Sequence, residues 1–244
     1  MPQRRLLPLT LAALASFAVL IGLGTWQVER LHWKEGLIAE RTAATSASPA
    51  ALPRTVEAAR PLAFRRVQIK GVFLHDREIP VHAIERRSGG AGYLVLTPLR
   101  LEDGAVVFVE RGWVPTDKRD AATRAQANPP GEVSVEGLLR LAPAGKPGWF
   151  LPANDPGRGE WFWIELPALA RAAGVPEALP FYVEAEATPN PGGLPVGGQA
   201  NTDLPNDHLQ YAITWYALAA ALAVIYLVLL RRERAAARRS HEPS

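Results

Sequence analysis

Two long apolar segments stand near the ends of the chain. The second runs from Tyr211 to Leu230 without a formal charge, which at about 1.5 Å per residue spans a hydrocarbon core of about 30 Å. The first lies between Arg5 and Gln27. Both predict transmembrane helices, with a cleaved secretory signal as the alternative for the first. The chain stays apolar beyond the small-residue site at Ala13 to Ala15, and this favours an uncleaved anchor.

Between these segments, short runs of β-branched and aromatic residues predict strands divided by Gly, Pro and Asp turns. The predicted strands are Arg65–Leu74, Tyr93–Leu101, Ala105–Val114, Val133–Leu141, Glu160–Leu166 and Phe181–Ala187. A hairpin is expected at "EDG", with Gly104 at positive φ, and a short helix over Leu166–Pro176. We therefore expect two transmembrane α-helices that flank an exported, mainly antiparallel β domain, a small barrel or sandwich with one or two short helices.

The pattern divides the chain into five segments, with the linker itself placed at Thr42–Pro53. They are an N-terminal transmembrane helix (1–26), a helix extension and linker (27–60), the exported domain with its return loop (61–207), a C-terminal transmembrane helix (208–230) and a basic tail (231–244).

Charge predicts the orientation. Arginines are frequent after Leu230, whereas no Lys or Arg lies between Arg171 and the second helix, so the positive-inside rule places the C-terminus, and with two spans also the N-terminus, in the cytoplasm. The chain has 27 Lys and Arg against 24 Asp and Glu. Seven of these cations but only two of the acids lie in the terminal segments, so the central domain has a small acidic excess, which argues against a nucleic-acid partner.

Several kinds of chemistry are disfavoured. The chain has no cysteine, which excludes thiolate mechanisms and disulfides. His75 and His82 match no standard metal-site spacing and are expected to be surface histidines. No nucleophile, base and orienting group can be assembled, so we do not expect an enzyme.

One histidine has a distinctive position, at the mouth of the second helix. On a helix, His208 shares a face with Tyr211, Ala212 and Trp215. The small residue would leave room for a flat ligand, and a neutral imidazole is a good haem iron ligand. The alternative is an interfacial polar residue within an ordinary aromatic belt.

The end of the first helix offers a matching stripe, in which Trp26, Arg30, Trp33 and Lys34 recur at helical spacing. The cations could pair with carboxylates such as haem propionates. The alternative is a set of anchoring tryptophans and snorkelling cations.

Four motifs together resemble the surfeit locus family, the assembly factors for haem-copper cytochrome c oxidase. They are "LGTWQVERLHWKEGLI", "GYLVLTPLRLEDGAVVFVERGWVP", "NDPGRGEWFWIELPALA" and "NDHLQYAITWY", in the family's order. The chain departs from the family pattern at Glu110, where Asn is typical, and at Asp207, Glu160 and Glu165.

The resemblance implies a membrane chaperone that binds haem a and assists its insertion into oxidase subunit I. His208 would be the iron ligand, and Tyr211, Trp215, Trp26 and Arg30 are the other candidate haem contacts. Haem a synthase is a further candidate partner, beside the lipid bilayer. The absence of an Arg- and Ser-rich transit peptide favours a bacterial inner membrane with the central domain in the periplasm. The alternative function is a cofactor-free scaffold for an immature subunit, with the "VERGWVP" hairpin as its binding edge.

Overall fold

The computed structural model describes residues 3–85, 88–200 and 204–239. The chain divides into two compact units, one formed by residues 1–40 with 203–244 and the other by residues 41–202. The first unit contains the apolar helices and the second contains the β domain.

Two helices of the described residues are long and apolar enough to cross a membrane, as predicted. Helix α1 covers Gln3–Ser46 and the last helix, α4, covers His208–Arg239. Their candidate spans are Leu7–Ser46 and His208–Ala235. The protein is therefore a membrane protein.

Helix α1 continues further than the sequence indicates. The linker was expected from Thr42, but the chain stays helical to Ser46. The Ser46 hydroxyl donates to the Thr42 carbonyl, and the Thr45 hydroxyl donates to the Arg41 carbonyl at 3.0 Å. Alanines between these positions favour helix, so the hydroxyl groups bond within the last turn instead of ending it.

The described part of the β domain contains six strands and two short α-helices. Its elements are α2 (Val56–Ala59), β1 (Arg66–Phe73), β2 (Ile79–Ile84), β3 (Ala91–Leu101), β4 (Val106–Pro115), β5 (Glu132–Leu141), α3 (Leu166–Ala172) and β6 (Phe181–Ala185). Single 3-10 turns at 60–62, 75–77, 116–118 and 191–193 and a longer 3-10 segment at 121–127 lie between them.

The sheet closes on itself. The strands follow the order β1-β5-β6-β4-β3-β2, and β1 also pairs with β3 through Gly71–Phe73 and Leu99–Leu101. Five strands thus form a closed ring, with β2 attached outside it. All pairs are antiparallel except β4 with β6. The domain is therefore the barrel of the two predicted alternatives, in the class of small five-stranded Greek-key barrels.

Two large hydrophobic clusters hold this domain together, beside a small one of Tyr93, Val95 and Val114. One fills the barrel with side chains from five strands, among them Val67, Leu99, Val109, Leu139 and Phe181. The other packs α3 and Trp161 against the outer face of the sheet. Strand β4 contributes to both clusters, because Val107 and Val109 belong to the barrel interior and Phe108 to the outer cluster.

Ring closure covers the strand edge that was expected to bind a partner in the scaffold hypothesis. Strand β4, which carries "VERGWVP", pairs with β3 on one side and with β6 on the other. Beyond the β6 pairing, Trp113 exchanges backbone hydrogen bonds with Val196. The hairpin is therefore not a free edge.

One predicted strand was wrong and one strand was not predicted. Of the predicted strand Glu160–Leu166, residues 160–165 form an irregular segment and Leu166 begins α3. Asn154 Oδ1 accepts hydrogen bonds from the backbone N–H groups of Phe162 and Trp163, so a side chain satisfies groups that a strand partner would take. Strand β2 was missed because it is short and contains Pro80, which lowers the strand signal.

A carboxyl group lies buried in the barrel wall. Glu110 is 3% exposed and stands opposite Glu184 on β6. Arg140 Nη1 lies 3.1 Å from a Glu184 carboxylate oxygen. Burial and, to a lesser extent, the negative charge of Glu184 together raise the pKa of Glu110 to about 8, although Arg140 partly opposes them. Glu110 therefore keeps its proton at neutral pH.

This burial predicts a pH-dependent stability. The unfolded chain loses the Glu110 proton near the ordinary carboxyl pKa, whereas the folded chain keeps it up to about pH 8, so rising pH destabilises the fold across that window. We expect Glu110→Gln to flatten this fall. The thermal midpoint, followed by circular dichroism, should favour the variant increasingly from about pH 5 to about pH 9. The control is Glu102→Gln in the exposed β3–β4 turn; parallel curves for Glu110→Gln and the native chain would contradict the assignment.

Candidate functional site

His208 is the first residue of α4. The preceding residues 204–207 have no regular secondary structure, and the Asp207 carbonyl accepts a hydrogen bond from the Tyr211 N–H at 3.2 Å. The helix therefore begins with the imidazole in its first turn, at the end of the apolar span, and the half-buried ring lies beside α1.

Its partner on α1 is Gln27, whose side chain is buried at 9% exposure. His208 Nδ1 lies 2.7 Å from Gln27 Oε1. Because an amide oxygen only accepts hydrogen bonds, Nδ1 carries the proton and donates it. The Nε2 atom of the neutral ring then keeps its lone pair, the form in which imidazole binds a metal.

Two further contacts join the helices along the same face. Thr25 Oγ1 lies 3.2 Å from the Tyr216 hydroxyl, and Tyr226 donates to Thr10 Oγ1 at 2.6 Å. At Gly24 the helices come so close that an added Cβ would stand 2.7 Å from the Tyr216 ring. A small residue and hydrogen-bonding side chains at the contact are the usual way for membrane helices to associate.

The face of α4 that was expected to receive a ligand is only partly open, because some of its residues pack against α1. Ala212 is only 2% exposed, so it does not leave the predicted room for a flat ligand. It lies one turn after His208, and both residues lie on the side that meets α1. Tyr211 is exposed and Trp215 is half-buried. The open surface beside the imidazole is therefore the side that carries these aromatic rings.

The two predicted residues of α1 lie close to Gln27 along the helix. Trp26 is half-exposed, and the exposed Arg30 follows Gln27 by three residues, so their side chains are neighbours on the helix surface. The Arg30 guanidinium stacks over the Trp33 ring at 4.3 Å and does not pair with Trp26. A cation thus lies within one turn of the hydrogen bond to His208.

The donor set suits only certain metal groups. Within residues 3–85, 88–200 and 204–239, no three His, Cys, Asp or Glu side chains converge on a common point. A bare ion would therefore lack ligands, whereas a metal held in a macrocycle needs one axial donor such as His208 Nε2. The exposed aromatic rings and the guanidinium could hold such a flat, carboxylated group.

Gln27 is the site residue that the sequence analysis missed. Its signal was present, since it is a neutral amide at the end of an apolar run, and such groups are buried only with a partner. The partner stands 181 positions away, so the pairing was not visible in local spacing.

The histidines of the β domain have partners too. His82 Nε2 lies 2.5 Å from Glu160, and His75 Nε2 lies 3.1 Å from the Pro129 carbonyl, so both are half-buried rather than on the open surface.

Comparisons with known proteins agree on one family. The SURF1 family model matches residues 14–220. The chain is 37% identical to Surfeit locus protein 1 of Homo sapiens over 222 residues, which cover 84% of this chain and 72% of the human protein. It is 39% identical to the SURF1-like protein of Monosiga brevicollis (91% and 87% covered) and 32% identical to that of Drosophila melanogaster (92% and 78% covered).

The close approach at Gly24 predicts a position-specific effect on helix pairing. We expect Gly24→Leu to push the helices apart, because the new side chain would occupy the place of the Tyr216 ring. Gly22→Leu is the matched control, since no atom lies within 4 Å of its Cβ position. The full chain in mixed micelles is unfolded by titration with sodium dodecyl sulfate. We expect Gly24→Leu to unfold at a lower mole fraction of this detergent than Gly22→Leu. Equal effects of the two variants would show that the contact does not stabilise the pair.

Proposed function

Because the chain belongs to the SURF1 family, we propose that it is an assembly factor for haem-copper cytochrome c oxidase, which binds haem a at the outer membrane interface and assists its insertion into subunit I. The observation that carries the proposal is the hydrogen bond from His208 to Gln27. It fixes the tautomer in which Nε2 of the imidazole is left to bind a metal.

His208 is the proposed iron ligand, through Nε2. Histidines that bind metals usually donate their other N–H to a carbonyl or carboxylate, which orients the ring and makes it a stronger donor. The Gln27 carbonyl supplies this partner from the neighbouring helix. Gln27 is therefore a positioning residue, which would act on the haem through His208.

The exposed side chains near His208 have complementary roles in the proposal. Tyr211 and Trp215 lie on the same side of α4 as the imidazole and offer aromatic surfaces to a porphyrin. Trp26 offers another ring on α1. Arg30 carries a cation in the headgroup region and would pair with a haem propionate, at the expense of its stacking on Trp33.

Haem a fits a site at this depth because it is amphipathic. Its isoprenoid tail would remain in the hydrocarbon, while its propionates reach the interface, where water and cations are available. A carrier must also release its cargo. A single protein ligand on an open helix face holds haem less completely than a closed pocket, which suits transfer to another protein.

The proposed orientation places both termini in the cytoplasm and the β domain in the periplasm of a bacterial inner membrane. Arg231, Arg232 and Arg234 directly follow the apolar part of α4, and cations at this position favour the cytoplasmic side. His208 and Gln27 then lie at the periplasmic surface.

A cofactor-free scaffold remains the second candidate, and the barrel itself supports it. A rigid closed domain anchored by two helices could hold an immature subunit without haem. Since β4 is paired on both sides, such binding would use loops or the outer strand β2 rather than the "VERGWVP" hairpin.

The test is the visible absorption spectrum of the full chain purified from membranes that synthesise haem a. We expect a haem spectrum from the native chain, its loss in His208→Ala, and no change in His32→Ala, which removes an exposed histidine of α1. Gln27→Leu should keep the ligand but weaken haem binding by about 10–100-fold, as for other partners of metal-bound histidines.

The two candidate functions give opposite results. A colourless native chain, under conditions that load a known haem protein, together with normal oxidase assembly in His208→Ala cells, would refute the carrier and favour the scaffold. A coloured native chain with a failure of assembly in His208→Ala cells supports the carrier.

A further inference from the structure

The β domain carries a loop with unusually exposed aromatic side chains. Residues 143–153 follow β5, and at their centre Trp149 is 91% exposed and Phe150 is 72% exposed. Large rings exposed side by side on a soluble surface are uncommon and mark contact sites for proteins or membranes. The haem proposal does not use this loop.

The composition of the loop favours a lipid surface. The sequence "PAGKPGWFLPA" contains one charged residue, the cation Lys146, in a chain that is 21% charged. Tryptophan and phenylalanine beside a lysine suit the headgroup region, where rings reach the acyl boundary and ammonium groups meet lipid phosphates. A loop without an acidic residue avoids repulsion from those phosphates.

Internal contacts hold the loop in a defined shape. Lys146 Nζ donates to the Leu151 carbonyl at 3.0 Å, and the Leu151 N–H donates to the Gly148 carbonyl at 3.3 Å. The Trp149 and Phe150 rings meet edge to face, with centroids 6.2 Å apart. The rings are therefore presented outward by a closed turn, instead of folding back onto the barrel.

Chain connectivity keeps a bilayer within reach. The unit that contains the domain begins at Arg41, within α1, and only residues 201–207 separate Ala200 from the start of α4. Eight residue steps extend over at most about 28 Å. A surface site on a domain tethered this closely meets the membrane at high effective concentration, so even weak insertion is populated.

We propose that the loop at residues 143–153 is a third membrane contact of this protein, in which Trp149 and Phe150 insert into the headgroup layer of the bilayer that α1 and α4 cross. The contact anchors the β domain against the lipid surface, independently of haem binding.

The absence of cysteine makes the test direct. The full chain with Ala144→Cys, at an exposed position of the loop, is labelled with an environment-sensitive dye and reconstituted in phosphatidylcholine vesicles. Glu102→Cys, in the exposed β3–β4 turn, is the matched site for the same label. A third chain combines Ala144→Cys with the double substitution Trp149→Ser and Phe150→Ser. It lacks the two rings but carries the label at the same exposed position.

We expect the dye at position 144 to show blue-shifted emission and quenching by spin-labelled lipid, and the dye at position 102 to show neither. The double substitution should abolish both signals without lowering the thermal midpoint, because the rings are exposed. Water-like emission at position 144 in vesicles would overturn the proposal. A blue shift that needs added oxidase subunit would also overturn it, in favour of a protein partner.

Discussion

The hydrogen bond between His208 and Gln27 joins the two membrane helices, at the first residue of α4 and within α1. Each side chain alone would be a costly polar group at the edge of the hydrocarbon. Together they satisfy one another, and the Gly24 contact and the Thr25–Tyr216 pair hold the same face closed. The interaction decides which face of α4 is buried, and so where Tyr211 and Trp215 are open to a ligand. The tautomer of His208 follows from it as well.

The β domain meets a different constraint, since its stability cannot rely on disulfides. Ring closure stabilises the domain, because the five barrel strands then have partners on both sides. Buried arginines stabilise it further. Arg124 pairs with Glu78 while both are nearly enclosed, and Arg111 donates to Asn128 Oδ1 at 3.2 Å. These contacts hold residues 116–128, which follow β4, against the barrel. Such pairs hold a shape but tolerate no loss of one partner.

The features that could be predicted from the sequence are those that depend on a local pattern of residues. Length and hydropathy predicted α1 and α4, and alternation of side chains predicted β1, whose inward and outward residues alternate strictly. Ring closure was not predictable, since β1 and β3 meet over three residue pairs that leave no mark on the pattern of either strand. Gln27 and the buried Ala212 were missed for the same reason, because both depend on contacts between distant parts of the chain. The irregular segment at 160–165 was wrongly predicted as a strand, because its aromatic side chains pack against α3 and β2.

Strand order also bears on the sequence of events during synthesis. The last strand, β6, ends at Ala185, and it fits between β4 and β5, both of which are made earlier. The barrel can therefore be completed before the residues of α4 leave the ribosome, while α1 alone holds the nascent chain at the membrane. Gln27 meets His208 only after the second helix has entered the bilayer. In this order of synthesis the domain can be complete before the helix pair forms, and the proposed haem ligand is oriented only once α4 pairs with α1.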